Sequence, residues 1–219
     1  MTGVRGVVFD LDGTLVDGYD GIASGVNAAR AAFGLPALTI DDVRGRVGLG
    51  LSHLMNDVLG KERAEAGAVI FREKYARVCE AETRPAPGLV RVLSALVHRG
   101  FRMSVASNKP AEFSIRILER LGARSFFDAI EGPETAGAAK PEPQMILACL
   151  QKMDLAPGQA LYVGDMPVDA EAGARAGVAV VLVSGGSSPD GALRETGCPV
   201  LPALSDLLDV LPEIAPRVS

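Results

Sequence analysis

The chain of 219 residues has no tryptophan, two histidines and three cysteines, and each scarcity argues against a class of chemistry. Cys79, Cys149 and Cys198 are odd in number, widely separated and free of C-x-x-C spacing, which speaks against a disulfide framework and against a zinc site. Cys149 falls on an apolar helical face, where a thiol behaves as a small buried hydrophobe. His98 falls in the last turn of a helical pattern, where positive charge is favoured by the helix dipole, and His53 is read as structural. Excess basic charge is missing too: 22 Lys and Arg against 27 Asp and Glu leave a net charge of −5. Nucleic acid and anionic membrane are therefore not expected partners, and any phosphate has to be bound by a local site. No apolar run approaches the length of a membrane span and no signal-peptide pattern precedes Asp10, so a cytoplasmic protein is expected. Hydrophobic residues are plentiful at 48%, enough to bury a core in one large domain or in a domain with a smaller insertion.

The most informative stretch is the first. Val7, Val8 and Phe9 form a short apolar run, and Asp10-Leu-Asp-Gly breaks it with turn chemistry, so a buried strand is expected to end in a loop. Two carboxylates then stand at the carboxyl end of a strand, which is where ligands bind in open α/β sheets. Taken alone, Asp10 and Asp12 could as well cap the loop.

From Asp20, read as an N-cap, Ile22, Val26, Ala29 and Phe33 recur at helical spacing until Gly34-Leu-Pro36. Asp41 to Leu59 and Glu62 to about Ala81 read as further helices, with no strand pattern among them. Arg84-Pro-Ala-Pro-Gly88 is a linker by composition, after which strands alternate with helices. Strands are expected at Phe101–Ala106, near Phe127–Glu131, at Ala160–Val163 and at Ala179–Val183, and a final helix at Leu204–Leu211. Pro110 is placed at a first helical position, Pro167 can open the helix that Gly177 closes, and Gly100 is a C′ residue. This alternation gives βαβ units, hence a mostly parallel sheet with helices on both faces and the loops on one rim; it leaves the sheet order open.

Four loops carry the candidate chemistry. Asp10-Leu-Asp12-Gly-Thr14, Ser107-Asn108-Lys109, Lys140-Pro-Glu-Pro and Gly164-Asp165-x-x-x-Asp169 occur in that order with the intervening elements expected of them. In this they resemble the haloacid dehalogenase-like hydrolase superfamily, most of whose members are phosphatases; the match runs from Val4 to about Gly177. The helical insertion after the first motif is similar to that of the phosphoglycolate phosphatase-like branch.

The resemblance implies an α/β fold: a Rossmann-like, mostly parallel sheet core, residues 1–15 and 85–219, with an inserted α-helical cap, residues 16–84. It implies a Mg²⁺-dependent phosphatase acting on a small phosphorylated metabolite, phosphoglycolate-like or a sugar phosphate, through an aspartyl-phosphate. Asp10 would be the nucleophile, Asp12 the general acid and base, and Lys140 the charge-neutralising cation. The metal ligands would be Asp10, Asp165 and the Asp12 carbonyl, with Asp169 a ligand through water or an orienter of Lys140. Mg²⁺ suits such a set because it takes hard oxygens and keeps several waters. Thr14, Ser107 and the Asn108 amide are the candidates for binding phosphate oxygens; the Ser107 hydroxyl also suits an N-cap. In the segment Gly45 to His53, Arg46 is the candidate for a substrate carboxylate or second anion, the alternative being a solvated helix-start arginine. Gly18 and Met166 depart from the branch's pattern, which often has Ser and Thr there. Asp12 argues against a dehalogenase, since displaced halide needs no proton. A sugar-phosphate mutase of the β-phosphoglucomutase type keeps it and is the runner-up, and a non-catalytic binding protein is a third reading.

Overall fold

The computed structural model describes residues 3–211. In chain order, its first half runs β1 (Gly6–Phe9), β2 (Val16–Asp17), α1 (Tyr19–Ala32), α2 (Ile40–Arg44), α3 (Leu51–Leu59), α4 (Ala64–Val78), β3 (Arg84–Pro85), α5 (Leu89–His98) and β4 (Arg102–Ala106). The second half runs α6 (Ala111–Arg120), β5 (Ala129–Glu131), α7 (Pro133–Ala136), α8 (Gln144–Met153), β6 (Ala160–Gly164), α9 (Pro167–Ala176), β7 (Ala179–Val183), α10 (Asp190–Glu195), β8 (Val200–Leu201) and α11 (Leu207–Val210). Six strands make one parallel sheet in the order β5-β4-β1-β6-β7-β8.

β1 lies inside the sheet, between β4 and β6, and every one of its residues is buried, as a strand covered on both faces requires. Its alternating side chains divide the interior. Val7 and Phe9 join the apolar cluster that holds Leu93 and Leu96 of α5 and Ile117 of α6, whereas Val8 joins the one built on Ile146 and Cys149 of α8 and Ala172 of α9. The chain leaves β1 towards β4 and β5 on one side and later returns to β6 on the other. That reversal opens a crevice at the carboxyl ends of β1 and its neighbours, the usual ligand position in such sheets.

Helices α1 to α4 occupy the segment between β2 and β3, and those two strands pair antiparallel, Val16 with Pro85 and Asp17 with Arg84. The chain thus enters and leaves the helical segment through one hydrogen-bonded ribbon, extended by the Ala86 N–H donating to the Leu15 carbonyl at 2.9 Å. Val26 of α1 and Phe71 and Tyr75 of α4 are buried in the same cluster as Val7 and Phe9. No helix among the described residues is long and apolar enough to cross a membrane.

Several sequence expectations need correction. The helix expected from Asp41 to Leu59 is two helices, α2 and α3, because Gly48 (φ 116°) and Gly50 (φ 88°) adopt backbone conformations incompatible with a continuing helix. The strands β2 and β3 lie within or beside a stretch expected to be helix and linker, and β8 lies where no strand is expected; two residues carry no periodicity. Helix α1 starts at Tyr19 with Gly18 as its cap residue, and Asp20 instead sits in the first turn, paired with Arg84 at 2.8 Å. Pro110 is the cap of α6 rather than its first residue, with ψ 135°. Phe127 precedes β5 and is not part of it, and the last helix is a 3₁₀ turn at Leu204–Asp206 followed by α11. Pro167 does open α9, and Gly177 closes it at φ 70°.

Candidate active site

The site is built on the rim where β1, β4 and β6 end. The Asp10 N–H continues the ladder by donating to the Val163 carbonyl at 2.8 Å, which fixes the Asp10 Cα above the strand ends. The chain then turns through Gly13 (φ 81°). A Cβ at Gly13 would lie 2.2 Å from Asp165 Oδ2, and one at Gly186 would lie equally close, so two glycines let backbone wrap this carboxylate. Asp165 itself follows β6 and accepts hydrogen bonds from the Ser187 N–H at 2.5 Å and the Thr14 hydroxyl at 3.4 Å.

Asp10, Asp12, Asp165, Asp169, Lys109 and Lys140 are all buried. Lys140 Nζ lies 2.7 Å from both Asp10 Oδ1 and Asp169 Oδ1, and 3.2 Å from the Tyr162 hydroxyl. Burial works against its charge, but Asp10 and Asp169 overcome it and hold the ammonium protonated well above the ordinary lysine range. Asp169 is a spacer as much as a charge: its Oδ2 accepts the Asp165 and Met166 N–H groups, each at 3.0 Å, so both its oxygens are engaged by protein. This geometry suits the role of orienting Lys140 better than direct ligation.

Asp12 pairs with the other ammonium. Lys109 Nζ is 2.9 Å from Asp12 Oδ2 and donates to the Tyr75 hydroxyl at 2.5 Å. Burial raises the Asp12 carboxyl above its usual range, against the opposing pull of Lys109. Its Oδ1 has no hydrogen-bond partner among the described residues. A Cβ at Gly18 would sit 2.6 Å from that oxygen, so the absence of a side chain there is what gives Asp12 its present rotamer room.

Three buried carboxylates, Asp10, Asp165 and Asp169, have ligand atoms within 4.8 Å of one another. One ammonium, Lys140, is the counter-ion among them, so excess negative charge remains; burial, then Asp169 and Asp10, push the Asp165 carboxyl well up. An all-oxygen, over-anionic pocket fits a hard divalent cation and does not fit a soft one.

A cavity of about 70 Å³ lies between this rim and the helical segment. Asp10, Asp12, Ser107, Asn108, Lys109 and Lys140 line it from the sheet side, and Ile22, Leu51, Leu54 and Phe71 from the helices, with Val47 from the loop between α2 and α3. The structure therefore brings most of the expected residues together, with three refinements. Thr14 turns towards Asp165 and does not line the cavity. The Asn108 side chain holds backbone: it donates to the Gly48 carbonyl at 2.8 Å and accepts the Lys140 N–H at 2.7 Å, tying the loop between α2 and α3 to the third motif. Arg46 is exposed and directed away, with its Nε 2.8 Å from Asp57; the loop reaches the site through Val47, Gly48 and Gly50 instead.

Sequence reasoning missed Tyr75, Tyr162 and Ser187 and gave Lys109 no role. Lys109 was visible as the third residue of its motif. The others carried no local signal.

The haloacid dehalogenase-like hydrolase family model matches residues 7–183. The chain belongs to this family. The phosphoglycolate phosphatase of Aquifex aeolicus is 37% identical over 179 residues, covering 82% of this chain and 84% of that protein. Phosphoglycolate phosphatase 1 of Pseudomonas aeruginosa is 33% identical over 217 residues, covering 95% and 79%. A crystal structure of a predicted phosphoglycolate phosphatase from Haemophilus somnus superposes with a TM-score of 0.88 at 26% identity, covering 96% of this chain and 99% of that one. As a haloacid dehalogenase-like phosphatase, the protein carries all four motif loops on one rim, and its Met166 and Gly48 meet across the cavity: a Cβ on Gly48 would lie 2.0 Å from Met166 Sδ.

Proposed function

We propose that this phosphatase hydrolyses a small phosphorylated hydroxy acid, phosphoglycolate or a close analogue, with Mg²⁺ and an aspartyl-phosphate on Asp10. The observation that carries the reading is that Asp10 and Asp12 line one cavity while each holds a different ammonium, Lys140 and Lys109. Two carboxylates in different surroundings can do different work.

Mg²⁺ would be held by Asp10, Asp165 and the Asp12 carbonyl, with Asp169 in support, and when bound it would supply positive charge to the phosphoryl oxygens. Asp10 attacks phosphorus as the bond to the substrate's alkoxide breaks, and Asp12 delivers a proton to that oxygen. Asp12, now a carboxylate, takes a proton from water. That water attacks phosphorus, the bond to Asp10 breaks, and inorganic phosphate leaves with Asp12 protonated again. Lys140 stabilises the Asp10 carboxylate and the transferring group. The Ser107 hydroxyl and the Asn108 backbone N–H are the groups we assign to phosphate oxygens.

We assign residues 16–84 to a cap that opens for substrate and closes over it, hinged at the β2–β3 ribbon. A cavity of about 70 Å³ favours a small substrate; sites for larger ligands are typically ~300–1,000 Å³. This weighs against the hexose phosphates that a sugar-phosphate mutase would hold. The test is phosphate release from purified protein across phosphoglycolate, other phosphorylated hydroxy acids and hexose phosphates, with Mg²⁺ and with EDTA. Phosphoglycolate is expected to lead the panel and EDTA to abolish turnover. Full activity in EDTA, or a hexose phosphate converted to its isomer without phosphate release, would reject the reading.

A further inference from the structure

Two ammoniums are the cations among the described residues lining the cavity. Lys140 is fully engaged by Asp10, Asp169 and Tyr162. Lys109 is different: a lysine ammonium has three N–H donors, and this one has two partners, Asp12 Oδ2 and the Tyr75 hydroxyl. One donor remains on a buried cation beside the cavity. The opposite wall, from the helical segment, is Ile22, Val47, Leu51, Leu54 and Phe71 and offers no charge. The nearby arginines are turned elsewhere: the Arg44 guanidinium lies 4.3 Å over the Tyr19 ring, and Arg46 pairs with Asp57. An anionic group on the leaving alcohol would meet low dielectric on one side, where an unmatched charge is costly, and Lys109 on the other.

Tyr75 fixes where that ammonium stands. Its ring stacks on Phe71 of the same helix, centroids 5.3 Å apart, and meets Phe113 of α6 edge-on at 5.0 Å. The ring is thus held by both the helical segment and the sheet core, and Lys109 Nζ lies 4.5 Å from its centroid.

We propose that Lys109, positioned by Tyr75, is the residue that selects a leaving group bearing a carboxylate next to the esterified carbon. This deepens the function proposed above and rests on it. The same carboxylate was expected at Arg46; the geometry moves that role to the sheet side of the cavity.

The test compares 2-phosphoglycolate with 2-hydroxyethyl phosphate, in which CH₂OH replaces the carboxylate. Wild-type protein is expected to prefer phosphoglycolate in kcat/KM by about 10²-fold or more; a site built to pair a polar group rejects an analogue lacking it by up to ~10⁴–10⁵-fold, and the hydroxyl of CH₂OH recovers part of that. In Lys109→Met both substrates slow, because Asp12 loses its partner, but the preference collapses below about tenfold. Tyr75→Phe keeps the ring and removes the hydroxyl; it should raise KM for phosphoglycolate several-fold more than for 2-hydroxyethyl phosphate, whereas a purely structural role would move both alike. A wild-type ratio near one, or an unchanged ratio in both variants, overturns the inference and leaves phosphatase activity standing. Failure to turn over either ester or p-nitrophenyl phosphate would remove the phosphatase reading and the inference with it.

Discussion

Asp165→Asn should make the metal-free protein more stable and the enzyme nearly inactive. The carboxylate is buried, and its ligand atoms lie within 4.8 Å of Asp10 and Asp169, with Lys140 the one cation placed between the latter two. At an effective dielectric of about 20, each like-charge pair at such a distance repels by roughly 3–4 kcal/mol, and Lys140 cancels about one of the two repulsions. Relaxation and partial protonation reduce what is left, so a gain of about 1–3 kcal/mol is expected when the charge is removed by an isosteric amide. The carbonyl oxygen of that amide can still accept the Ser187 N–H. For a domain of this size the gain corresponds to roughly 2–12 °C in Tm. The measurement is thermal unfolding followed by circular dichroism in EDTA and in Mg²⁺, beside kcat. Wild-type protein should gain Tm on adding Mg²⁺, by mass action on the folded state. The variant should begin higher in EDTA, gain little from Mg²⁺ and lose about 10²-fold or more in kcat. If Asp165→Asn is less stable in EDTA and responds to Mg²⁺ as wild type does, the anionic cluster is not a metal site.

Lys140→Ala removes the charge shared by Asp10 and Asp169, and kcat should fall by about 10²-fold or more, as for other preorganised charge-stabilising groups; near-normal kcat would deny the lysine its role. Asp10→Asn should block covalent labelling altogether, whereas Asp12→Asn should still accept phosphate from p-nitrophenyl phosphate and release it slowly. Rapid-quench labelling followed by peptide mapping decides between them, and phosphate on any residue other than Asp10 would refute the mechanism. Gly48→Ala is strained twice, by φ 116° and by a Cβ 2.0 Å from Met166 Sδ, so the loop must withdraw and KM for phosphoglycolate should rise about tenfold or more; an unchanged KM would show that this loop does not seat over the substrate.

The chemical groups were legible because each lies in a short local pattern. A buried apolar run followed by Asp10-Leu-Asp12-Gly places two carboxylates at a strand end without reference to anything distant, and Pro167 and Gly177 bound α9 by their own backbone preferences. Gly48 and Gly50 were visible as flexible backbone, although not as the break of a helix. What sequence could not decide is direction and company. Two-residue strands have no period, so the ribbon joining Val16 to Pro85 exists only once both ends of the helical segment lie side by side. Sheet order depends on which strand each crossover returns to, and this depends on helices competing for the two faces of β1. Arg46 stands within a loop that does reach the cavity, yet Asp57, one helix later, captures its guanidinium. Tyr75 reaches Lys109 from 34 residues away because packing against Phe71 and Phe113 sets its ring where the hydroxyl meets that ammonium. Periodicity and turn chemistry act within a few residues; the partner of a buried charge is set by the packing of elements far apart in the chain.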